Sequence, residues 1–181
     1  MTSTTTTVTT MSPRPLSLSE LVTAYAETRD PAALERLRAA VASTPGFDPH
    51  ADLETDGRRL LAAGDHAGLL TYLRGQMPAA FLSPSAHALL ASAHAGLGDE
   101  VHATRERRTA RLALDAILGS GDGTLEHPWR VLRVSDEYDV LAAQDRRSER
   151  QELVVRDGHT LDHHRCTDGS EAWFDITPVG G

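Results

Sequence analysis

The segment DGHTLDHHRC, residues 157–166, concentrates side chains that bind metal ions or transfer protons. Alternate side chains of a strand share a face, so Asp162, His164 and Cys166 should lie together, with the other histidines on the opposite face. Carboxylate, imidazole and thiolate groups are all zinc ligands, but no CxxC or HExxH spacing supplies a fourth one. These three residues are a candidate site for a divalent metal, and a polar hairpin face is the alternative. We expect no other cofactor.

Two further motifs could support chemistry, but each has a structural explanation. The sequence GSGDG at 119–123 has the composition of a phosphate-binding loop, yet it closes a helical segment instead of opening one and lacks the Lys-Ser or Lys-Thr pair. Glu137 and Asp139 flank Tyr138 and could share acid and base roles. Negative charge at the start of a short helix is explained by the helix dipole alone. Serine, histidine and aspartate are too numerous for one catalytic triad to stand out.

The composition excludes several classes of protein. All 18 basic residues other than histidine are arginine, so the chain has no lysine for a Schiff base or a P-loop. A net charge of -8 argues against a general nucleic-acid binder. The single Cys166 allows no internal disulfide, and no apolar run approaches the roughly 20 residues that cross a membrane. Because a basic, apolar leader is also missing, we predict a cytoplasmic protein without a membrane partner.

Helical periodicity extends from Leu18 to Leu118 and divides into three pairs of helices. Their second helices should begin near Pro31, His66 and Glu100, at intervals of 35 and 34 residues. Such spacing is typical of stacked helical hairpins. The start signals Asp-Pro at 30–31, Asp-Pro at 48–49 and Ser-Pro at 83–84 support this division, since each combines an N-cap residue with proline at the first helical position.

Two Gly-Asp pairs, Gly64-Asp65 and Gly98-Asp99, mark the turns inside the second and third pairs of helices. Glycine can take the left-handed conformation that ends one helix, and aspartate can accept amide protons at the start of the next. We interpret these four residues as structural turns.

Residues 17–118 resemble the tetratricopeptide repeat family. With the Gly-Asp turns placed at the family's turn, Gly57 and Ala91 occupy the small-residue site of the first helix, and Ala103 that of the second. No tryptophan opens a repeat, and Leu69 replaces one of the alanines that the family has. The resemblance implies stacked antiparallel hairpins that bind a protein or peptide, and a generic antiparallel helical bundle is the alternative.

After Leu118 the pattern changes from helical spacing to alternation. A first strand is predicted at 129–134, followed by a short helix capped by Ser135. Three antiparallel strands should follow, at 150–156, 159–165 and 171–176, joined by the turns Asp157-Gly158 and Asp168-Gly169.

This tail resembles an uncharacterised bacterial family, a domain of unknown function whose front half is a helical repeat. The resemblance transfers no activity. The matching pieces are Ser120-Gly121-Asp122-Gly123, Pro128, residues 131–134, residues 137–141, Leu161-Asp162 and Trp173-Phe174-Asp175-Ile176.

The sequence therefore predicts a mainly α protein with a small α+β tail. We expect a disordered Thr-rich segment at 1–15 with Met1 and Met11 as alternative starts, a helical domain at 16–118, a linker at 119–128 and the tail at 129–181. The expected function is a non-enzymatic interaction or scaffold protein that uses its helical-repeat surface. The alternative is a metal-binding module or an enzyme built on the C-terminal sheet.

Overall fold

The computed structural model describes Arg14 and residues 16–179, and the segment predicted to be disordered otherwise lies outside these residues. About half of the chain is helical, and the tail contains a four-stranded mixed sheet. The elements are α1 (Leu18–Thr28), α2 (Pro31–Ala42), α3 (Leu53–Ala62), α4 (His66–Gly75), α5 (Pro84–Gly96), α6 (Glu100–Leu118), β1 (Trp129–Arg130), α7 (Val134–Ala143), β2 (Ser148–Arg156), β3 (His159–Cys166) and β4 (Glu171–Asp175).

Local capping determines where most helices of the front half begin. At α1 the Glu20 amide donates to Ser17 Oγ while the Glu20 carboxylate accepts the Ser17 amide, which is a capping box. Asp30 and Ser83 cap α2 and α5 ahead of a proline, as their sequences predict. The predicted start of α3 at Asp48-Pro49 is wrong. There Asp48 accepts the His50 amide in a turn, and Asp52 is the N-cap, accepting the Thr55 amide at 3.0 Å.

The two Gly-Asp pairs form tight turns between helices. Gly64 and Gly98 have φ angles of 70° and 78°, in the left-handed region that favours glycine. Asp65 accepts the Gly68 amide at 2.8 Å, and Asp99 accepts the His102 amide at 3.1 Å. Each pair therefore ends one helix and caps the next.

The sheet has the strand order β1-β4-β3-β2. Strands β2, β3 and β4 are antiparallel neighbours, and β1 lies parallel to β4. The prediction of a strand across 129–134 is wrong, because only Trp129 and Arg130 pair with β4. The chain then enters α7 at Val134, with Arg133 as its N-cap and the Asp136 carboxylate accepting the Arg133 amide at 3.1 Å. Ser135 therefore lies inside the helix.

Three apolar clusters hold the elements together. One lies between α1 and α2 and includes Leu132 of the tail, a second joins α3, α4 and α5, and a third packs the end of α6 and α7 on the sheet. Polar contacts add to the junction of the two halves. Arg38 of α2 donates to the Arg130 carbonyl at 2.9 Å, and the Val134 amide donates to the Pro49 carbonyl at 3.1 Å. The tail therefore shares a core with the helices.

None of the helices in the described part of the chain is long and apolar enough to cross a membrane.

Gly123 lies where the linker contacts the core of the tail, and we predict that Gly123→Ala lowers the free energy of unfolding by about 3 kcal/mol. Its φ is +77°, and a Cβ atom would overlap the ring of the buried Trp129. Gly158→Ala is the matched control, because Gly158 has φ +82° but open space around it, so only the backbone cost of about 1 kcal/mol remains. Chemical denaturation measures both, and equal losses would contradict the steric argument.

Candidate functional site

The three carboxylates of α7 lie in three different environments. Asp136 caps its own helix. Glu137 is fully buried against the sheet. Asp139 accepts the backbone amide of Ser85 at 3.0 Å, at the start of α5, where the exposed amides and the helix dipole favour a carboxylate. The interpretation that Glu137 and Asp139 merely complement the dipole of their own helix is therefore wrong.

Glu137 and His164 form the centre of a buried polar network. Glu137 Oε2 lies 2.7 Å from His164 Nε2, and His164 Nδ1 lies 2.8 Å from Ser148 Oγ. Gln151 of the edge strand donates to Asp162 Oδ2 at 2.8 Å and accepts a hydrogen bond from Tyr138 Oη at 2.8 Å. The network thus ties α7 to β2 and β3.

Burial determines the protonation of the central pair. Desolvation, with the charge of Asp162 second, raises the pKa of Glu137 to about 10. Desolvation lowers the pKa of His164 below its ordinary value of 6.5. At neutral pH both groups are therefore uncharged, so the Glu137 hydroxyl donates to His164 Nε2 and His164 Nδ1–H donates to Ser148 Oγ.

Ser148, His164 and Glu137 have the connectivity of a serine, histidine and acid triad. In such triads the acid is ionised, since it stabilises the imidazolium that forms when histidine takes the serine proton. Glu137 is protonated instead, and it faces His164 Nε2, the nitrogen that faces serine in the chymotrypsin-type arrangement. In this state the three residues form a hydrogen-bonded chain without an activated nucleophile.

The structure places Asp162, His164 and Cys166 on the face of β3 that packs under α7. Both nitrogens of His164 are engaged by Glu137 and Ser148, and the Asp162 carboxylate is held by Gln151. Cys166 is buried in the apolar cluster of the tail. Their donor atoms do not converge, because among the described residues only His94, Asp99 and His102 bring three such atoms within 4.8 Å of one another.

The sequence named Glu137 as a candidate acid or base beside Asp139, but it did not connect Glu137 with His164, and it did not identify Ser148 or Gln151. Glu137 lies on α7, 27 residues from His164, so neither strand alternation nor motif spacing connects them. The available signal was the position of Glu137 three residues before Val140 and four before Leu141, both of which are buried in the core of the tail. Helical periodicity places all three side chains on one face.

A groove of about 550 Å³ lies between the helical half and the tail. The connection from α2 to α3 forms one wall, and the tail forms the other with Leu153 at the rim. No acidic residue is among the described residues that line it, although the chain carries a net charge of -8. The lining residues are Ala42, Phe47, Pro49, His50, Val131, Leu132, Arg133, Val134, Leu153, Thr160, Ile176, Thr177, Pro178 and Val179.

Arg133 is the cation of this groove. Its side chain is only 2% exposed, lies 4.8 Å from the ring centre of Phe47 and donates from Nη2 to the Ala79 carbonyl. Among the described residues Nε and Nη1 have no hydrogen-bond partner. Burial lowers the pKa of Arg133, while the carboxylates of Asp136 and Asp48 act in the opposite direction. Two buried donors without acceptors are costly, so the positive charge of Arg133 is poorly compensated in the wall of the groove.

A second, more open cleft of about 780 Å³ lies between α1 and α6. Arg29, Arg105 and Arg108 line it, and none forms an ion pair with a described residue. All three are exposed, so water already satisfies their charges. This cleft is the basic part of the helical surface, but its arginines are solvated.

Comparison of the chain with protein-family models, curated proteins and solved structures finds no match. The resemblances that the sequence shows to tetratricopeptide repeats and to a bacterial domain of unknown function therefore stay predictions.

Proposed function

We propose that this chain is a non-enzymatic interaction protein, in which three antiparallel, tetratricopeptide-like hairpins and the α+β tail together hold a segment of a partner protein. The observation that supports this proposal best is the groove between the two halves, with the buried Arg133 among its lining residues. The 34-residue spacing of the Gly-Asp turns supports the repeat architecture.

The groove favours an apolar peptide that carries one carboxylate. Its walls are mainly apolar, as in sites where binding depends on a few buried anchors. Arg133 places a buried positive charge in the wall of the groove, and this charge favours a carboxylate over a neutral group. The groove has no lining carboxylate among its described residues that would repel such a peptide. The partner segment is therefore apolar, with an acidic side chain or a free C-terminus.

The alternative is a metal-binding module or an enzyme that uses Asp162, His164 and Cys166. It has weaker support, since His164 and Asp162 already have hydrogen-bond partners and His164 is fully buried. The α1–α6 cleft is a less favoured location for the peptide, because its arginines are hydrated before binding.

We predict that Leu153→Asp weakens peptide binding at least tenfold, or by about 1.4 kcal/mol, because it places a charge at the apolar rim of the groove. Val155→Asp is the matched control. Leu153 is 64% exposed and Val155 is 74% exposed on the same face of β2, but Val155 does not line the groove. The probes are fluorescent pools of short apolar peptides with a central glutamate, and identical pools with glutamine, measured by polarisation.

Wild type and Val155→Asp should bind the glutamate pools more tightly than the glutamine pools. Equal affinity for the two pools, or equal losses in both variants, would contradict the groove. Binding that is lost in Arg105→Ala but kept in Leu153→Asp would assign the peptide to the α1–α6 cleft instead. Circular dichroism checks that each variant is folded.

A further inference from the structure

Two histidines and one aspartate converge at the turn between α5 and α6. His102 Nδ1 lies 2.7 Å from Asp99 Oδ2, and His94 Nδ1 lies 3.3 Å from the same oxygen. The two imidazole rings are stacked, with centres 5.0 Å apart and planes at 18°. Both rings therefore direct the same type of nitrogen at one carboxylate oxygen.

The backbone holds this arrangement in place. Gly98 takes the left-handed conformation that reverses the chain, and the Asp99 amide donates to the His94 carbonyl at 2.9 Å. Asp99 Oδ1 accepts the His102 amide as the N-cap of α6, which leaves Oδ2 directed at the rings. His94 is buried, so its ring has little freedom to turn away. The site is thus preorganised by the same turn that joins the helices.

The contact between His94 and Asp99 is too long for a good hydrogen bond. The His102 contact at 2.7 Å is a good hydrogen bond, whereas 3.3 Å between His94 Nδ1 and Asp99 Oδ2 exceeds the usual range. Ligands of a tetrahedral zinc ion with bonds of about 2.0 to 2.1 Å lie about 3.3 Å apart. The His94 separation already has this value. The separation between His102 Nδ1 and Asp99 Oδ2 would have to increase by about 0.6 Å, which the exposed side chain of His102 allows.

We propose that His94 Nδ1, Asp99 Oδ2 and His102 Nδ1 bind a divalent transition-metal ion of the zinc type, in a site independent of the peptide groove. Two imidazoles and one carboxylate select such an ion over calcium or magnesium, which prefer ligand sets made of oxygen. Three protein ligands leave a coordination position for water. Because Asp99 caps α6 and His94 lies in the last turn of α5, a bound ion would also stabilise the turn.

The test is a zinc titration of the untagged, metal-free protein by calorimetry, with cobalt absorption as a second measurement. We expect one ion per chain and binding at least about tenfold weaker in His102→Ala, because a direct ligand is removed. His127→Ala is the matched control, since His127 is also exposed and lies 4.0 Å from a carboxylate, that of Asp122, yet has no second imidazole beside it. This variant should bind zinc as the wild type does.

Three outcomes would overturn the proposal. The first is no saturable binding of zinc or cobalt by the folded protein. The second is unchanged affinity in His102→Ala. The third is loss of binding in Cys166→Ser, which would place the ion on β3 with Asp162 and His164. Because His102 does not line the groove, none of these results affects the peptide measurement.

Discussion

Glu137→Ala should lower the free energy of unfolding by about 3 kcal/mol, whereas Glu137→Gln should change it by less than about 1 kcal/mol. The alanine variant removes a fully buried side chain and leaves His164 Nε2 without its donor. The glutamine variant keeps the volume and supplies an amide donor at the position of the carboxylic acid hydroxyl. The difference follows from the protonation of Glu137, whose raised pKa keeps it neutral at pH 7.

Urea denaturation of the two variants at neutral pH measures this difference. An ion pair between a charged Glu137 and a charged His164 would give the opposite result for glutamine. In that case Glu137→Gln would leave a buried imidazolium without its counter-charge and would cost several kcal/mol. A large loss in Glu137→Gln would therefore show that the pair is charged.

Stability should fall as the pH rises above about 6.5, with a slope of up to about 1.4 kcal/mol per pH unit from the Glu137–His164 pair. The unfolded chain loses the Glu137 proton near its ordinary pKa of 4.5 and the His164 proton near 6.5. The folded pair holds one proton, on Glu137, until the pH approaches its pKa of about 10. Above about pH 6.5 the folded pair holds one proton and the unfolded chain holds none, which gives this slope.

Two other buried carboxylates also make the free energy of unfolding fall as the pH rises. Burial raises the pKa of Asp136 to about 7 and that of Asp139 to about 6, so each binds a proton in the folded state that the unfolded chain has released. Their stabilising contribution is full below the ordinary value of 3.8 and is lost as the pH rises through their folded pKa values. They make the protein more stable in mildly acidic solution than at neutral pH.

The pH dependence is measured by urea denaturation at intervals from about pH 5 to about pH 9. Glu137→Gln is the matched variant, because it has no proton to lose at this position. Its stability should be nearly constant above about pH 7, where that of the wild type declines. A wild type and a variant with the same slope in this range would contradict the assignment of the proton to Glu137.

Local signals predicted much of the architecture. Helices α2, α4 and α6 begin at Pro31, His66 and Glu100, because an N-cap acts within three residues of its own helix start. The turn Asp157-Gly158 has φ angles of 52° and 82°, and such a two-residue turn fixes the register of β2 and β3. Local signals failed where one segment carries signals for both a strand and a helix. At 129–134 the alternation predicts a strand, but the Asp136 carboxylate accepts the Arg133 amide and a helix begins at Val134.

In the candidate sites, the sequence likewise predicted what depends on one element and missed what depends on contacts between elements. Alternation along β3 correctly placed Asp162 and His164 on one face, since that property belongs to a single strand. The partner of His164 is Glu137 on a different element, and only packing of α7 on the sheet brings them to 2.7 Å. Likewise, Arg133 lines the groove because the tail packs on the connection between α2 and α3.

The sequence by itself determined the starts of five of the seven helices, the Gly-Asp turns and the strand hairpins, because capping, left-handed glycine and alternation act over a few residues. The tertiary structure alone decided which polar groups lose their water. Burial raises the pKa of Glu137, leaves two Arg133 nitrogens without acceptors among the described residues, and fixes the His94 ring beside Asp99. Desolvation depends on every element packed around a group, so no local pattern in the chain specifies it.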